Sequence, residues 1–537
     1  MENTLYFGDN LDWLQKLPGS SVDLIYLDPP FNSKRDYNLL YKTPSGHKSE
    51  AQVQAFSDTW SWDENTERQY AELLRQPNTA LTEMVIALRG FLREGDVMAY
   101  LVMMARRMVE MHRVLKDTGS LYLHCDPTAS HYLKILLDAV FGPKAFRTEI
   151  SWRRTSAHSD AKQGRKQYGN VRDILYFYTK SNEWTWNWQY LPYDETYIES
   201  FYRHVEEGTG RRYRLSDLTA NRGGGDTSYE WNGVRPYKGR YWAYSKLNME
   251  KFELEGRLVY AKTGMPSYKR YLDEMPGMPL QNDWQDIKPI SRKEYLGYDT
   301  QKPLALLERI IAASSNPGDV VMDPFCGCGT AVHAAQKLGR KWIGIDITVL
   351  SIDLIERRLK DAFEGIKIKV EGLPQDLESA AGLAARDKYL FQDWCVTKAG
   401  GQAYRGGQKG GDGGIDGLMY FEDGKSTKRI VISVKGGGIN PAMVRDLGGL
   451  LDEQTPIGVF LSLHEHSKQM VEYAASLGFF EYKRSATDAE AALYPKLQLL
   501  TVADLLDGKR PRYPGAQDAT HRKARREKKG KQQGLDL

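Results

Sequence analysis

Cysteine is scarce in this chain, with four in 537 residues and none in a paired CxxC spacing. That argues against a disulfide framework or a structural zinc site, and the expected setting is a reducing cytoplasm. No apolar run reaches the length of roughly 20 residues that a spanning helix needs. The opening Met1-Glu2-Asn3-Thr4 lacks a basic-then-apolar leader pattern. Net charge is nearly absent as well, since 74 Lys and Arg against 70 Asp and Glu leave +4. Any grip on a polyanion must therefore come from local clusters rather than from the whole field. No internal repeat is visible. The length leaves room for two or three domains, each with its own core.

Two acid-terminated apolar runs stand out. Val22-Asp23-Leu24-Ile25-Tyr26-Leu27 closes on Asp28-Pro29-Pro30-Phe31, and Val320-Val321-Met322 closes on Asp323-Pro324-Phe325-Cys326-Gly327-Cys328-Gly329-Thr330. An acid at the end of a buried-type strand lies where a doubly wound sheet places its ligand crevice. Gly327 and Gly329 let backbone approach a ligand, and the helix expected over 331–338 would aim free N–H groups at it. Lys341-Trp342-Ile343-Gly344-Ile345-Asp346 reads as the next strand, and Asp346 lies 23 positions after Asp323. That is close to the roughly 20-residue spacing at which an acid grips ribose hydroxyls, so the unit reads as a nucleoside-cofactor site. A third glycine of the dinucleotide fingerprint is missing, which argues against NAD or FAD. Asp28-Pro29-Pro30-Phe31 has two readings. A proline pair simply stops a strand. Alternatively, a carboxylate and a fixed carbonyl accept from an exocyclic amino group while Phe31 stacks on a flipped base.

Taken together and in this order, these motifs resemble the β-group amino DNA methyltransferases, in which the catalytic motif precedes the cofactor motif. The resemblance spans residues 3–360 and is carried by three further segments. Leu5-Tyr6-Phe7-Gly8-Asp9-Asn10 is similar to the family's first strand, whose acid meets the adenine of S-adenosylmethionine. Residues 115–126 resemble the next core strand. Asp299-Thr300-Gln301-Lys302-Pro303 resembles the segment that closes over the cofactor. The resemblance implies a Rossmann-like α/β fold of permuted motif order and direct methyl transfer from S-adenosylmethionine without a covalent enzyme intermediate. Asp28, Pro29, Pro30 and Phe31 are the implied catalytic residues. Asp9, Thr300, Lys302, Asp323, Phe325, Gly327, Gly329, Thr330 and Asp346 are the implied cofactor residues. Asp at position 28 is commoner in adenine-N6 enzymes and Ser in cytosine-N4 enzymes, so adenine N6 is the expected target and cytosine N4 the alternative. The Pro-Cys turn used to attack cytosine carbon 5 is lacking.

Basic and aromatic residues gather between the two motifs: Trp152-Arg153-Arg154, then Lys162, Arg165, Lys166, Tyr168 and Arg172, and later Arg211-Arg212-Tyr213-Arg214 and Asn221-Arg222. Such residues hold phosphates and read base edges. Residues 180–296 are where the resemblance places a target-recognition region, with double-stranded DNA as partner. Trp184, Trp186 and Trp188 alternate as one face of a packed strand would. The polar stretch 32–95 reads either as a lid over a flipped base or as a satellite helical pair, and the methionines of 98–104 read as core.

A second module follows a helix over 350–363 and a looser stretch at 371–378. Its glycine-rich run 406–417, strands at 418–421, 429–435 and 457–462, and helices near 443–451 and 467–476 resemble the Mrr-type branch of the PD-(D/E)xK nucleases. The match covers residues 385–507. The resemblance implies a smaller α/β restriction-endonuclease-like domain in which Asp416 binds Mg²⁺ and Lys435 activates or positions water. Ser433 stands where that family carries Glu or Gln, and a hydroxyl is a poor metal ligand. Either Asp446, Asp452 or Glu453 replaces the missing acid, or the module binds DNA without cutting it. The expected layout is thus a methyltransferase domain over 1–365, a linker at 366–384, the nuclease-like domain over 385–507 and a basic tail at 508–537 that is either solvated or holds DNA. A one-chain restriction–modification protein is the leading expectation, with homodimerisation left open. The rivals are a methyl-sensing nuclease or DNA-binding protein with an inactive transferase half, and an RNA or protein-glutamine methyltransferase.

Overall fold

The alternation of apolar strands with amphipathic helices builds a layered α/β structure, seen in a computed structural model. It describes residues 2–30, 61–127, 129–155, 166, 168–298, 300–404, 414–423, 426–482, 491–514 and 526–527, together with the backbone of 36–39 and 53–57. The chain forms two units, Met1–Asn187 with Asn282–Leu537, and Trp188–Gln281. Among the described residues no helix is long and apolar enough to cross a membrane.

The large sheet of the first unit has nine strands: β1 (Thr4–Phe7), β2 (Val22–Leu27), β3 (Leu115–Cys125), β4 (Phe146–Arg153), β5 (Arg172–Thr179), β6 (Asp283–Trp284), β7 (Val320–Asp323), β8 (Lys341–Asp346) and β9 (Lys369–Glu371). Their order is β6-β4-β5-β3-β2-β7-β8-β1-β9. Strand β5 runs antiparallel to both neighbours, and the other pairs are parallel. Strands β2 and β7 lie side by side, with Leu24 opposite Val321 and Ile25 opposite Met322. Parallel strands need both faces covered, which explains their near-continuous apolar runs. On one face the helix Asp96–Val114 buries Met98, Met103, Met104, Met108 and Met111 against Ile25, Leu121 and Ile343, so these methionines are core.

The stretch read as a linker carries structure. Strand β9 joins the sheet edge beside β1, and a helix spans Leu377–Arg386. Its start is fixed by a capping box in which Asp376 and Ser379 satisfy each other's backbone N–H groups. The tryptophan alternation also misleads, because residues 184–189 form no strand. Trp184 instead sits under the Arg147 guanidinium, 4.0 Å from its ring centre, and Trp186 stacks on Phe177.

A second sheet in the same unit has the order β10 (Gln402–Ala403), β11 (Gly417–Glu422), β12 (Thr427–Lys435), β13 (Ile457–Ser462) and β14 (Leu497–Thr501). Its first two pairings are antiparallel and its last two parallel. The helices Pro441–Gly448 and Lys468–Ser476 pack on it through Val444, Leu447 and Met470.

The unit Trp188–Gln281 has its own four-stranded antiparallel sheet and a small core of Leu218, Trp231, Trp242 and Met249.

Candidate functional site

Because β2 and β7 are neighbours, the turns that follow them open at the same end of the sheet. Asp28, Pro29 and Pro30 share one cavity of about 420 Å³ with Asp323, Phe325, Gly327 and Thr330. Asp9, Thr300, Lys302 and Asp346 line the same cavity. Phe31 and Asp299 lie outside the described residues. Gly329 joins the group as the residue that starts the helix Thr330–Lys337. The two distant motifs therefore meet.

The glycine bend is shaped by backbone conformations that a Cβ would resist. Gly327 has φ +52° and Gly329 φ +75°, where a methyl on Gly329 would come within 2.8 Å of Ile355. Asp346, at the end of β8, braces this bend, accepting from the Gly327 N–H (2.8 Å) and from the Thr348 N–H and hydroxyl (both 2.9 Å). The Thr330 hydroxyl accepts from buried Arg358 at 3.1 Å, and the same guanidinium bonds the Cys328 carbonyl. Burial pushes the Asp323 carboxyl well above its ordinary pKa, and the nearby Asp28 and Asp346 carboxylates push the same way. The Phe325 N–H, at 3.0 Å, opposes that shift. Asp28 has one oxygen, Oδ2, paired with the Lys302 ammonium. Its Oδ1 is buried without a hydrogen-bond partner.

Several lining residues were not anticipated. Arg107, on the methionine-rich helix, is buried and donates to Asp9 Oδ1 (2.6 Å), Asn10 Oδ1 and the Met103 carbonyl. Asn10 in turn donates to the Pro324 carbonyl at 2.7 Å, tying the loop after β1 to the glycine bend. Asp9 acts here as the N-cap of the helix Asn10–Lys16, accepting from the Leu11 N–H. Tyr26 and Tyr298 also face the cavity. From the polar stretch 32–95, the helices Glu64–Leu74 and Thr79–Leu92 form the helical pair, and Asp63, Asn65, Thr66 and Gln69 reach the cavity wall. The remainder of that stretch that would form a lid lies largely outside the described residues.

In the second sheet, Asp416 and Lys435 come together with Nζ 3.6 Å from Oδ2. Asp416 is already engaged, since Oδ1 accepts from Gln392 (2.6 Å) and Oδ2 from the Val434 N–H (2.7 Å). The Ser433 hydroxyl takes a bond from Lys435 at 3.0 Å. Among the described residues no group of three or more His, Cys, Asp or Glu side chains is placed to hold a metal ion. Asp446, Asp452 and Glu453 do not complete one with Asp416, and Asp452 caps the Gln454 and Thr455 N–H groups.

Within Trp188–Gln281, Arg211 is committed to Asp273 and Glu274, while Arg212 and Arg222 are exposed.

Comparison with known proteins agrees with this arrangement. The chain is 29% identical over 363 residues to the type II methyltransferase M.EcaI of Enterobacter cloacae, covering 67% of this chain and 69% of that one. It is 26% identical to the Mod subunit of the type III restriction–modification enzyme StyLTI of Salmonella typhimurium, covering 63% of this chain and half of that protein. It is also 26% identical to the DNA adenine methyltransferase YhdJ of Escherichia coli, covering 66% of this chain and 82% of that one. The family model described as DNA methylase matches residues 22–357, which take in both turns and the segment between them. The chain therefore belongs to the N6/N4 DNA methylase family.

Proposed function

We propose that this DNA methylase transfers a methyl group from S-adenosylmethionine to adenine N6 in double-stranded DNA, as part of restriction–modification. The single observation that carries the reading is the cavity shared by the Asp28-Pro29-Pro30 turn and the Gly327–Gly329 bend. The side chains present suit the donor. Asp323, Asp28 and Asp346 crowd one cavity with acidic groups, and a ligand bearing ammonium and sulfonium charges relieves that crowding. When bound, S-adenosylmethionine would supply an electrophilic methyl group, its methyl–sulfur bond breaking as the new N–C bond forms and a neutral thioether leaving. Asp28 Oδ1, buried and unpartnered, accepts a hydrogen from the target amino group and with it the proton lost as the N–C bond forms. The rigid Pro29-Pro30 turn holds that acceptor in place. Adenine is favoured over cytosine by the carboxylate at position 28, and YhdJ, an adenine enzyme by name, is among the relatives.

Incubating the purified chain with DNA and methyl-labelled S-adenosylmethionine tests this directly. Asp28→Ala should lose labelling while still binding the cofactor, and single-molecule sequencing of the product should report N6-methyladenine. A methylating Asp28→Ala protein would refute the catalytic assignment.

For residues 385–507 we propose DNA binding without cleavage. The Asp416–Ser433–Lys435 group keeps the charge arrangement of a nuclease centre, but its carboxylate is engaged by protein donors. With no group of three or more His, Cys, Asp or Glu side chains gathered there among the described residues, the donor set does not fit a Mg²⁺ ion. Exposed basic residues of 188–281, such as Arg212 and Arg222, are the proposed phosphate and base contacts.

A further inference from the structure

We infer that Lys302 is a positioning residue for Asp28 rather than a cofactor ligand. The inference rests on the reading of Asp28 as the acceptor of the target amino group. Lys302 Nζ pairs with Asp28 Oδ2, across 274 positions of sequence, and leaves Oδ1 buried and without a partner. Neither side chain is loose, with 11% and 15% of their surfaces exposed.

The segment carrying Lys302 is latched from both sides. The Gln301 side chain accepts from the Leu296 N–H at 2.8 Å and donates to the Glu294 carbonyl at 3.0 Å, while the Glu294 carboxylate accepts from the Leu304 N–H. Pro303 then opens the helix Leu304–Ser314. The lysine is thus delivered by a braced loop, not by a free stem.

The chemistry follows from what a carboxylate needs in this cavity. Two equivalent oxygens on a freely turning group make a poorly aimed acceptor. Pinning Oδ2 to an ammonium fixes the plane of the group and leaves a single oxygen for the substrate. The same ammonium lies 3.5 Å from the Thr300 carbonyl, so both of these contacts go to the chain's own acceptors.

The test measures cofactor affinity and turnover separately on the full chain. In Lys302→Met, kcat should fall about 100-fold, as when one preorganised electrostatic partner is lost, while the Kd for S-adenosylmethionine by calorimetry stays within about threefold. Lys302→Arg, which keeps the charge and the reach, should recover at least about tenfold of that loss. In an Asp28→Asn background, where no carboxylate remains to be aimed, Lys302→Met should add less than about threefold to the defect. The inference is overturned if the Kd rises about tenfold or more while kcat at saturating cofactor is kept, or if the two substitutions simply multiply. Full activity in Asp28→Ala would instead refute the reading of Asp28, independently of the Lys302 series.

Discussion

Arg107→Met probes how the loop after β1 is held against the glycine bend. The guanidinium satisfies three groups at once: Asp9 Oδ1, Asn10 Oδ1 and the Met103 carbonyl. The Asp9 side chain is 44% exposed, so water screens that pair and its loss costs at most about 1 kcal/mol. Asn10 is buried, and stripping its Oδ1 of a donor costs about 1–3 kcal/mol. The methionine returns about 1 kcal/mol through its own burial. The net loss is at most about 3 kcal/mol, and it falls on the loop that Asn10 ties to the Pro324 carbonyl. If the cofactor needs that loop in place, its Kd should rise about tenfold, equivalent to about 1.4 kcal/mol. Calorimetric titration measures the affinity, and a thermal melt of the same protein separates a local effect from general unfolding. An Arg107→Met protein that binds S-adenosylmethionine as tightly as wild type would refute the reasoning, because the loop would then hold its shape without the guanidinium.

His333 provides a pH test. Burial, reinforced by Arg358, pushes its imidazole down to about 3 in the folded chain, against about 6.5 when unfolded. Below pH ~6.5 the unfolded chain takes up a proton that the folded chain refuses, so this contribution to stability is full above that pH and drains away toward pH ~3. His333→Gln should therefore melt closer to wild type at pH 5 than at pH 7, and a constant gap between the two would contradict it. The second sheet is tested on supercoiled plasmid with Mg²⁺. No nicking is expected from the wild type, and nicking that disappears in Lys435→Ala would establish a nuclease and refute the binding-only reading.

Much of the architecture could be read from the residues because strands in a parallel sheet advertise themselves. Val22–Leu27, Val320–Asp323 and Ile457–Ser462 are apolar runs of strand length with an abrupt polar stop. Their adjacency could not be read that way, since nothing in local periodicity pairs residue 24 with residue 321. It came instead from the motif order shared with a family. The same non-locality hid the Lys302–Asp28 pair. Arg107 escaped for a different reason: a single cation on a helix usually points to solvent, and only the helix's burial on nearly every side forces it inward. Alternating Trp184, Trp186 and Trp188 gave a false strand because a period of two describes sites along an extended loop as well as along a ladder. There Arg147 receives the Trp184 ring and Phe177 the Trp186 ring, in place of a neighbouring strand.

The slot beside β2 also constrains how the protein is born. Strand β7 leaves the ribosome about 295 residues after Asp28, which at about 5–20 residues per second is a delay of roughly 15–60 seconds. Throughout that interval β2 has one unsatisfied ladder edge, a template for unwanted pairing. Synthesis that stalls before the glycine bend would yield a chain with its acid turn in place and no cavity to use it. The layout thus makes the cavity a late product of synthesis, closed only once β7 has paired with β2.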